Sequence, residues 1–375
     1  MKPFLTTHKL RLTTVTPVHI GCGETLDPST YTIKDNRLYL FDAVELAQRL
    51  DESKRKEWAQ AANDILRLQR FLKKVRNEAI EVAKGSIGVA PSIAKEFDEK
   101  LGKVVQNEGG RGRNVYNMLE IQAHIRSGKK DLYIPGSSIK GALKTAFFQH
   151  CLNKKKDPSV ALKKNSRGEP FFDDEWFGTF ENDIFSKLKL SDAFGEDAES
   201  EVVWCINRHR KKEDDDNTLS QRLEVLKPDC HFETTVTLLR SGETAGLPED
   251  RFKSFPYDTN NFRIVVKNFY LPLLKKEIEW ARRHENLIPV SVRNRMVRAY
   301  NDVAAKKGFA FKIGMHSGAE ALTLEGIRSI KIPQARPPKW VDEPYTYWLA
   351  SEAKEGKNAS FMGWVYAEFL EKQER

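Results

Sequence analysis

The sequence predicts an α+β fold of two related modules, with a helical insertion in the first, and three observations predict it. An alternating strand near each end of the 375-residue chain runs into a glycine loop, residues 8–20 into Gly21-Cys22-Gly23 and residues 309–313 into residues 314–318. A short strand, a glycine turn and an apolar-striped helix follow one another between residues 131 and 152. Residues 51–108 are mostly charged and helix-prone, and they interrupt the strands. A chain of this length suits two modules, which divide at residues 1–240, with the insertion at about 51–130, and residues 241–375.

In chain order, Leu10, Leu12, Val15 and Val18 alternate with polar residues and predict the first strand. Residues 31–40 carry two β-rich stretches around Lys34-Asp35-Asn36-Arg37, a hairpin pattern, and Asp42 is placed to cap a short helix ending at Leu50. Inside the insertion Trp58, Ile65, Leu68, Phe71, Leu72 and Val75 recur at near-helical spacing. Residues 109–113, GGRGR, read as a mobile basic surface loop. Ile139, Leu143, Ala146 and Phe147 form the apolar stripe of the next helix, and residues 154–167, basic and broken by Pro158, read as a surface loop. Strands are predicted at 188–193, 201–207 and 231–239, and helices at 262–285 and 292–306.

Composition narrows the function. Lys and Arg outnumber Asp and Glu by 62 to 53, a formal charge of +9 that favours a polyanionic partner. Cys22, Cys151, Cys205 and Cys230 form no CxxC pair, and there is no HExxH or HxH, so the expectation is neither a metal nor a cofactor. No run reaches the roughly 18 apolar residues of a membrane helix. The first 17 residues alternate where a signal peptide would be apolar, and the expectation is a cytoplasmic protein away from membranes.

Residues 134–145, IPGSSIKGALKT, carry the strongest site signal. Gly136, Ser137 and Ser138 lead into a helix bearing Lys140 and Lys144 on adjacent turns, and helix N-termini attract anions through free N–H groups and the macrodipole. It is not a P-loop, because Ala142 stands where GxxxxGK[ST] needs a lysine. Against this stands the plainer reading of capping serines and solvated lysines. Gly21 and Gly23, and Gly314 with His316, Ser317 and Gly318, open space for a nucleic-acid backbone or simply turn the chain. Basic clusters lie at Arg111 and Arg113, at residues 154–156, at residues 208–212 beginning with Arg208, at 293–298 and at 331–339. Trp204, Tyr257, Trp340, Tyr345 and Trp364 either stack on bases or fill the core. His19, His209 and His316 are candidates for a general base.

Together these segments carry a resemblance. TPVHIGCGE, YTI, LYLFDAVELAQRL, YIPGSSIKGALKTAF, KLKLSDAF, PDCHFETTV, FKIGMHSG and MGWVYAEF, in that order, resemble the RAMP proteins of CRISPR systems, with the spacing of the family of fifth subunits of type III-A Csm complexes. The resemblance implies two ferredoxin-like (RRM-like) units. It implies a non-catalytic RNA-binding subunit that caps the backbone filament toward the crRNA 3′ end and supports crRNA maturation and antiviral defence. Its partners would be crRNA, other RAMP subunits and host 3′ exonucleases. By the same resemblance Ser137, Ser138, Lys140 and Lys144 face the crRNA phosphates, and Gly21, Gly23, Gly314 and Gly318 form supporting loops. Two other functions stay open. One is a metal-independent endoribonuclease that processes repeat RNA with His19 or His316 as base, and the other a phosphate-binding metabolic enzyme.

Overall fold

The structure, a computed structural model, describes residues 5–107, 114–116, 118–129, 131–166, 170–172, 174–177, 183–211, 219–239, 258–332 and 339–370. Its strands form two large sheets with helices packed against them, the α+β arrangement expected. In the first sheet Leu5–Thr14 is central, antiparallel to His231–Leu239 on one side and Trp364–Phe369 on the other. Phe309–Lys312 extends the sheet beyond Trp364–Phe369. Short strands Leu188–Leu190, Ala193–Phe194 and Tyr133–Ile134 complete the far side. Strands from both sides of residue 240 therefore share this sheet.

The second sheet runs Gly21–Leu26, Ile121–His124, Ser220–Leu226, Ser200–His209, Ser86–Val89, Arg37–Leu40 and Tyr31–Lys34, with Thr346–Ser351 also on Ser200–His209. The hairpin at residues 31–40 forms as expected, Asp35 and Asn36 taking φ of 51° and 57°, the left-handed pair a two-residue turn requires. Asp42 caps Ala43–Arg49 by accepting from the N–H groups of Val44 and Glu45.

Helices Gly136–Leu152, Thr259–Arg283 and Val290–Ala304 cover the first sheet. Phe262 lies at the centre of that layer, its ring 5.4 Å from Phe147, 5.5 Å from Phe309 and 5.8 Å from Phe369. Lys312 points from the sheet into the same layer, where its ammonium meets Glu277 at 2.7 Å and Trp364 donates to the other carboxylate oxygen at 2.6 Å. Both charges are buried, so each compensates the other's lost hydration.

Three sequence expectations are corrected. The first strand stops at Thr14, and Gly21-Cys22-Gly23 opens the next strand where a turn was expected; Gly21 pairs with His124, and a register shift before Thr25 lets Gly23 take a φ of 83°. The 51–130 segment is indeed helical over Glu52–Ala61, Ile65–Lys74, Arg76–Glu81 and Pro91–Lys100, yet it also supplies Ser86–Val89 and Ile121–His124 to the second sheet. The first three of these helices enclose a separate small core around Leu46, Phe71, Leu72 and Val75, which explains the helical spacing. Finally, Ser220–Leu226 and Thr346–Ser351 are strands where none was expected. Their apolar residues bunch at one end (VL and LA runs) because both strands are covered on two faces there, which erases the alternation a half-exposed strand shows. The 109–113 loop lies outside the described residues.

Candidate nucleic-acid interface

Two places gather the glycine, serine and basic residues singled out in the sequence. The first is the mouth of the Gly136–Leu152 helix. Strand Tyr133–Ile134 ends at Pro135, the N-cap, and Gly136, Ser137 and Ser138 already form the first turn. The serines therefore do not precede the helix, and neither side chain caps it. Gly136 is buried where a Cβ would stand 2.7 Å from the carbonyl oxygens of Leu190 and Ser191, so no larger residue fits. Its N–H donates to the Asp192 carboxylate at 2.8 Å. One anionic partner of the helix N-terminus is thus supplied by the chain itself.

One turn further, positive charge is less well matched. Lys144 pairs with Asp183 at 3.1 Å and its ammonium lies 5.3 Å over the Phe148 ring. Lys140 makes no such pair among the described residues. Burial, and then repulsion from Lys189, lower its pKa; Asp183 works against this and Lys144 adds to it. Lys140, Lys144 and Lys189 form a cationic group in which the neighbouring carboxylate is already committed to Lys144. Ser137 is exposed beside it. Lys189, on the edge strand Leu188–Leu190, was not singled out in the sequence; the alternation of KLKL is its one signal.

The second place joins the two glycine loops. His19 links the first sheet to the second, and its carbonyl accepts from the N–H of Met315 at 2.8 Å. Gly314, at φ 82°, lies so close that a Cβ would overlap the His19 carbonyl. His316 also has a left-handed φ of 63° and stacks on Trp348 at 4.1 Å, and Gly318 follows at φ 91°. The His19 ring is fully buried, with Nδ1 donating to the Glu224 carbonyl at 2.6 Å. That bond directs an unprotonated Nε2 toward Gly21, and among the described residues Nε2 has no hydrogen-bond partner. His316 Nε2 and Ser317 Oγ are likewise unpartnered. His124 stands against His19 and takes the opposite tautomer: Nδ1 accepts from Ile20 N–H at 3.1 Å and Nε2 faces the Tyr133 carbonyl at 3.4 Å.

The three rings are held neutral. Burial lowers the pKa of His19; burial and then the neighbouring His19 lower His124 to about 3 and His316 to about 4. Buried Glu224 ties the cluster to the second sheet, accepting from His124 N–H at 3.0 Å and Ser200 at 2.6 Å and pairing with Arg126.

The other predicted residues lie apart. Arg208 bonds the carbonyl of Glu355 in the 353–356 turn, and Arg111 and Arg113 fall outside the described residues, as does Tyr257. Trp204 and Trp364 are core residues, whereas Trp340 and Tyr345 are 49% and 42% exposed, as rings that stack on bases must be. Tyr345 also stacks on His209 at 6.3 Å, and Lys331 lies 5.7 Å over the Trp340 ring. Among the described residues no group of three or more His, Cys, Asp or Glu could hold a metal ion, and no helix is long and apolar enough to cross a membrane.

Residues 11–288 match the model of the RAMP superfamily. The chain is 23% identical over 294 residues to the CRISPR system Cms protein Csm5 of Methanocaldococcus jannaschii, an alignment that covers 71% of this chain and 63% of that one. It is 25% identical over 163 residues to the protein of the same name from Mycobacterium tuberculosis, covering 41% and 42%. The chain therefore spans less than two thirds of the length of the curated relatives it matches. Among solved structures, a chain of the cryo-EM Csm-crRNA-target RNA ternary complex of a type III-A CRISPR-Cas system aligns with a TM-score of 0.63 at 15% identity, covering 97% of this chain and 100% of that one. The crystal structure of T. onnurineus Csm5 aligns with a TM-score of 0.51 at 14% identity, covering 95% and 99%. At these identities the likeness is one of fold, and it agrees with the two ferredoxin-like modules expected.

Proposed function

Because the chain belongs to the RAMP superfamily, we propose that it is the fifth, Csm5-type subunit of a type III-A CRISPR effector complex, one that binds crRNA by its phosphates. The single observation that carries the binding role is the cationic group at Lys140, Lys144 and Lys189, where the carboxylate of Asp183 is committed to Lys144 and Lys140, its pKa lowered by burial and then by Lys189, has no ion-pair partner among the described residues. A phosphate placed there removes that repulsion and supplies affinity without reading sequence. The relatives' name and the fold of the Csm-complex chain support the choice of assembly. In this reading the subunit caps the backbone filament toward the crRNA 3′ end, contacts neighbouring RAMP subunits, and supports crRNA maturation and antiviral defence in the cytoplasm. At that end it is well placed to meet host 3′ exonucleases.

The reading makes the chain a binder. A general base must reach the ribose hydroxyl it deprotonates, and His19 is 0% exposed. His316 is half-buried against Trp348. Their burial favours a structural role over repeat cleavage.

The test is binding of purified protein to labelled single-stranded repeat-spacer RNA in EDTA across a salt series. Lys140→Ala with Lys189→Ala is expected to flatten the log–log salt dependence by about 0.7 for each phosphate the protein no longer neutralises, with the RNA left intact. An unchanged slope counts against the phosphate site, and a discrete cut in wild-type samples revives the endoribonuclease.

A further inference from the structure

Alongside the Gly136–Leu152 helix lies a cavity of about 320 Å³ that shares only Lys144 with the cationic group. Buried Phe148 and Leu324 line it from below, and Leu322, 59% exposed, stands at its rim. Gly141 opens onto it from the helix, at a point where a Cβ would meet nothing within 4 Å. Among the described residues the charged side chains along it are Lys144 and Arg328, with no carboxylate. Two larger cavities differ: one is edged by Asp131, Glu196 and Glu233, the other by Asp42 and Glu199.

Arg328 is held in place by neutral groups, its Nε donating to Thr323 Oγ1 at 2.7 Å and one terminal nitrogen to the Asp342 carbonyl at 3.3 Å. Among the described residues it has no carboxylate partner, and its second terminal nitrogen stays available to an acceptor in the cavity. Apolar walls with a fixed, acceptor-seeking N–H group suit a heteroaromatic ring carrying carbonyl or ring-nitrogen acceptors. An aliphatic side chain would fill the walls and leave that N–H group unanswered. Gly141 and Lys144 also place the cavity within a turn of the cationic group at Lys140.

We propose that this cavity receives one unstacked nucleobase of the bound RNA while its phosphate lies toward Lys140. The inference rests on the RNA-binding reading above and adds a base contact to it. Stacking and burial of a base are tolerant of sequence, and Arg328 favours bases that present acceptors.

The test fills the hole. Gly141→Phe places a ring in the cavity from a helix position where glycine is a poor helix former, and Gly141→Ala adds only a methyl that meets nothing within 4 Å. With full-length protein and single-stranded repeat-spacer RNA, Gly141→Phe is expected to weaken binding about tenfold at an unchanged salt slope, while Gly141→Ala binds as wild type. One abasic position in the RNA should reproduce the loss in wild type and add nothing in Gly141→Phe. If Gly141→Phe fails to fold, Arg328→Gln is expected to weaken binding about fivefold. Wild-type affinity in the filled or Arg328→Gln variant overturns the base pocket and leaves the phosphate site standing. RNA binding that is absent or insensitive to salt in wild type overturns both. Loss of binding to neighbouring subunits at intact RNA affinity makes the occupant a protein side chain, which also overturns the proposal.

Discussion

The mouth of the Gly136–Leu152 helix and the junction of the glycine loops at His19 use the same ingredients: glycines, serines and basic side chains. They reach opposite states. At the helix mouth Lys140 and Ser137 stay accessible beside like charges, and the local field asks for an anion. At the junction His19 and Ser317 are sealed from water and the rings are neutral. The difference lies in what covers each site, since burial removes the charge that exposure preserves. A motif of glycine, serine and a base is therefore ambiguous until its cover is known.

The comparison breaks first at Gly314. Alanine there must hold a left-handed φ and move the His19 carbonyl, so Gly314→Ala is expected to cost about 4 kcal/mol, from backbone strain and overpacking together. Urea denaturation measures it; a loss under about 1 kcal/mol would show a loop that adapts, as a binding loop does. Next is pH. The folded pKa values of His124 and His316, about 3 and about 4, lie below the ordinary 6.5 of an unfolded histidine, so the folded chain holds fewer protons. Stability is full above about pH 6.5 and falls on acidification, ending near pH 4 for His316 and pH 3 for His124. Between pH 8 and pH 5 the expected loss is about 2–3 kcal/mol after discounting the partly exposed His316. Melting curves at the two pH values, with a His124→Asn variant showing a smaller difference, check it. The smallest effect sharpens the other side: Ser137 caps nothing, so Ser137→Ala is expected to change stability by less than about 0.5 kcal/mol. A larger loss would mean that the serine does hold the helix end.

The sequence made the helix mouth legible because Gly136 and the lysines at 140 and 144 announce themselves through helix spacing. It did not reveal that Asp192 fills the first anionic position, because a partner 56 residues away leaves no local pattern. The hairpin at Asp35-Asn36 was legible because its turn chemistry is local, whereas Ser220–Leu226 was hidden by burial on both faces at one end. Both glycine loops could be found in the sequence as strand neighbours. Their meeting through the His19 carbonyl is tertiary, and only the fold could show it.

The central strand of the first sheet has a consequence for synthesis. Leu5–Thr14 leaves the ribosome well before either of its partners, His231–Leu239 and Trp364–Phe369. Until residue 369 emerges, one edge of that strand lacks its hydrogen-bond partners. Such distant pairing slows folding and exposes a strand edge meanwhile. During translation that edge therefore stays open to non-native pairing, and a chain stalled on the ribosome before Trp364 should aggregate more readily than one stalled after residue 369.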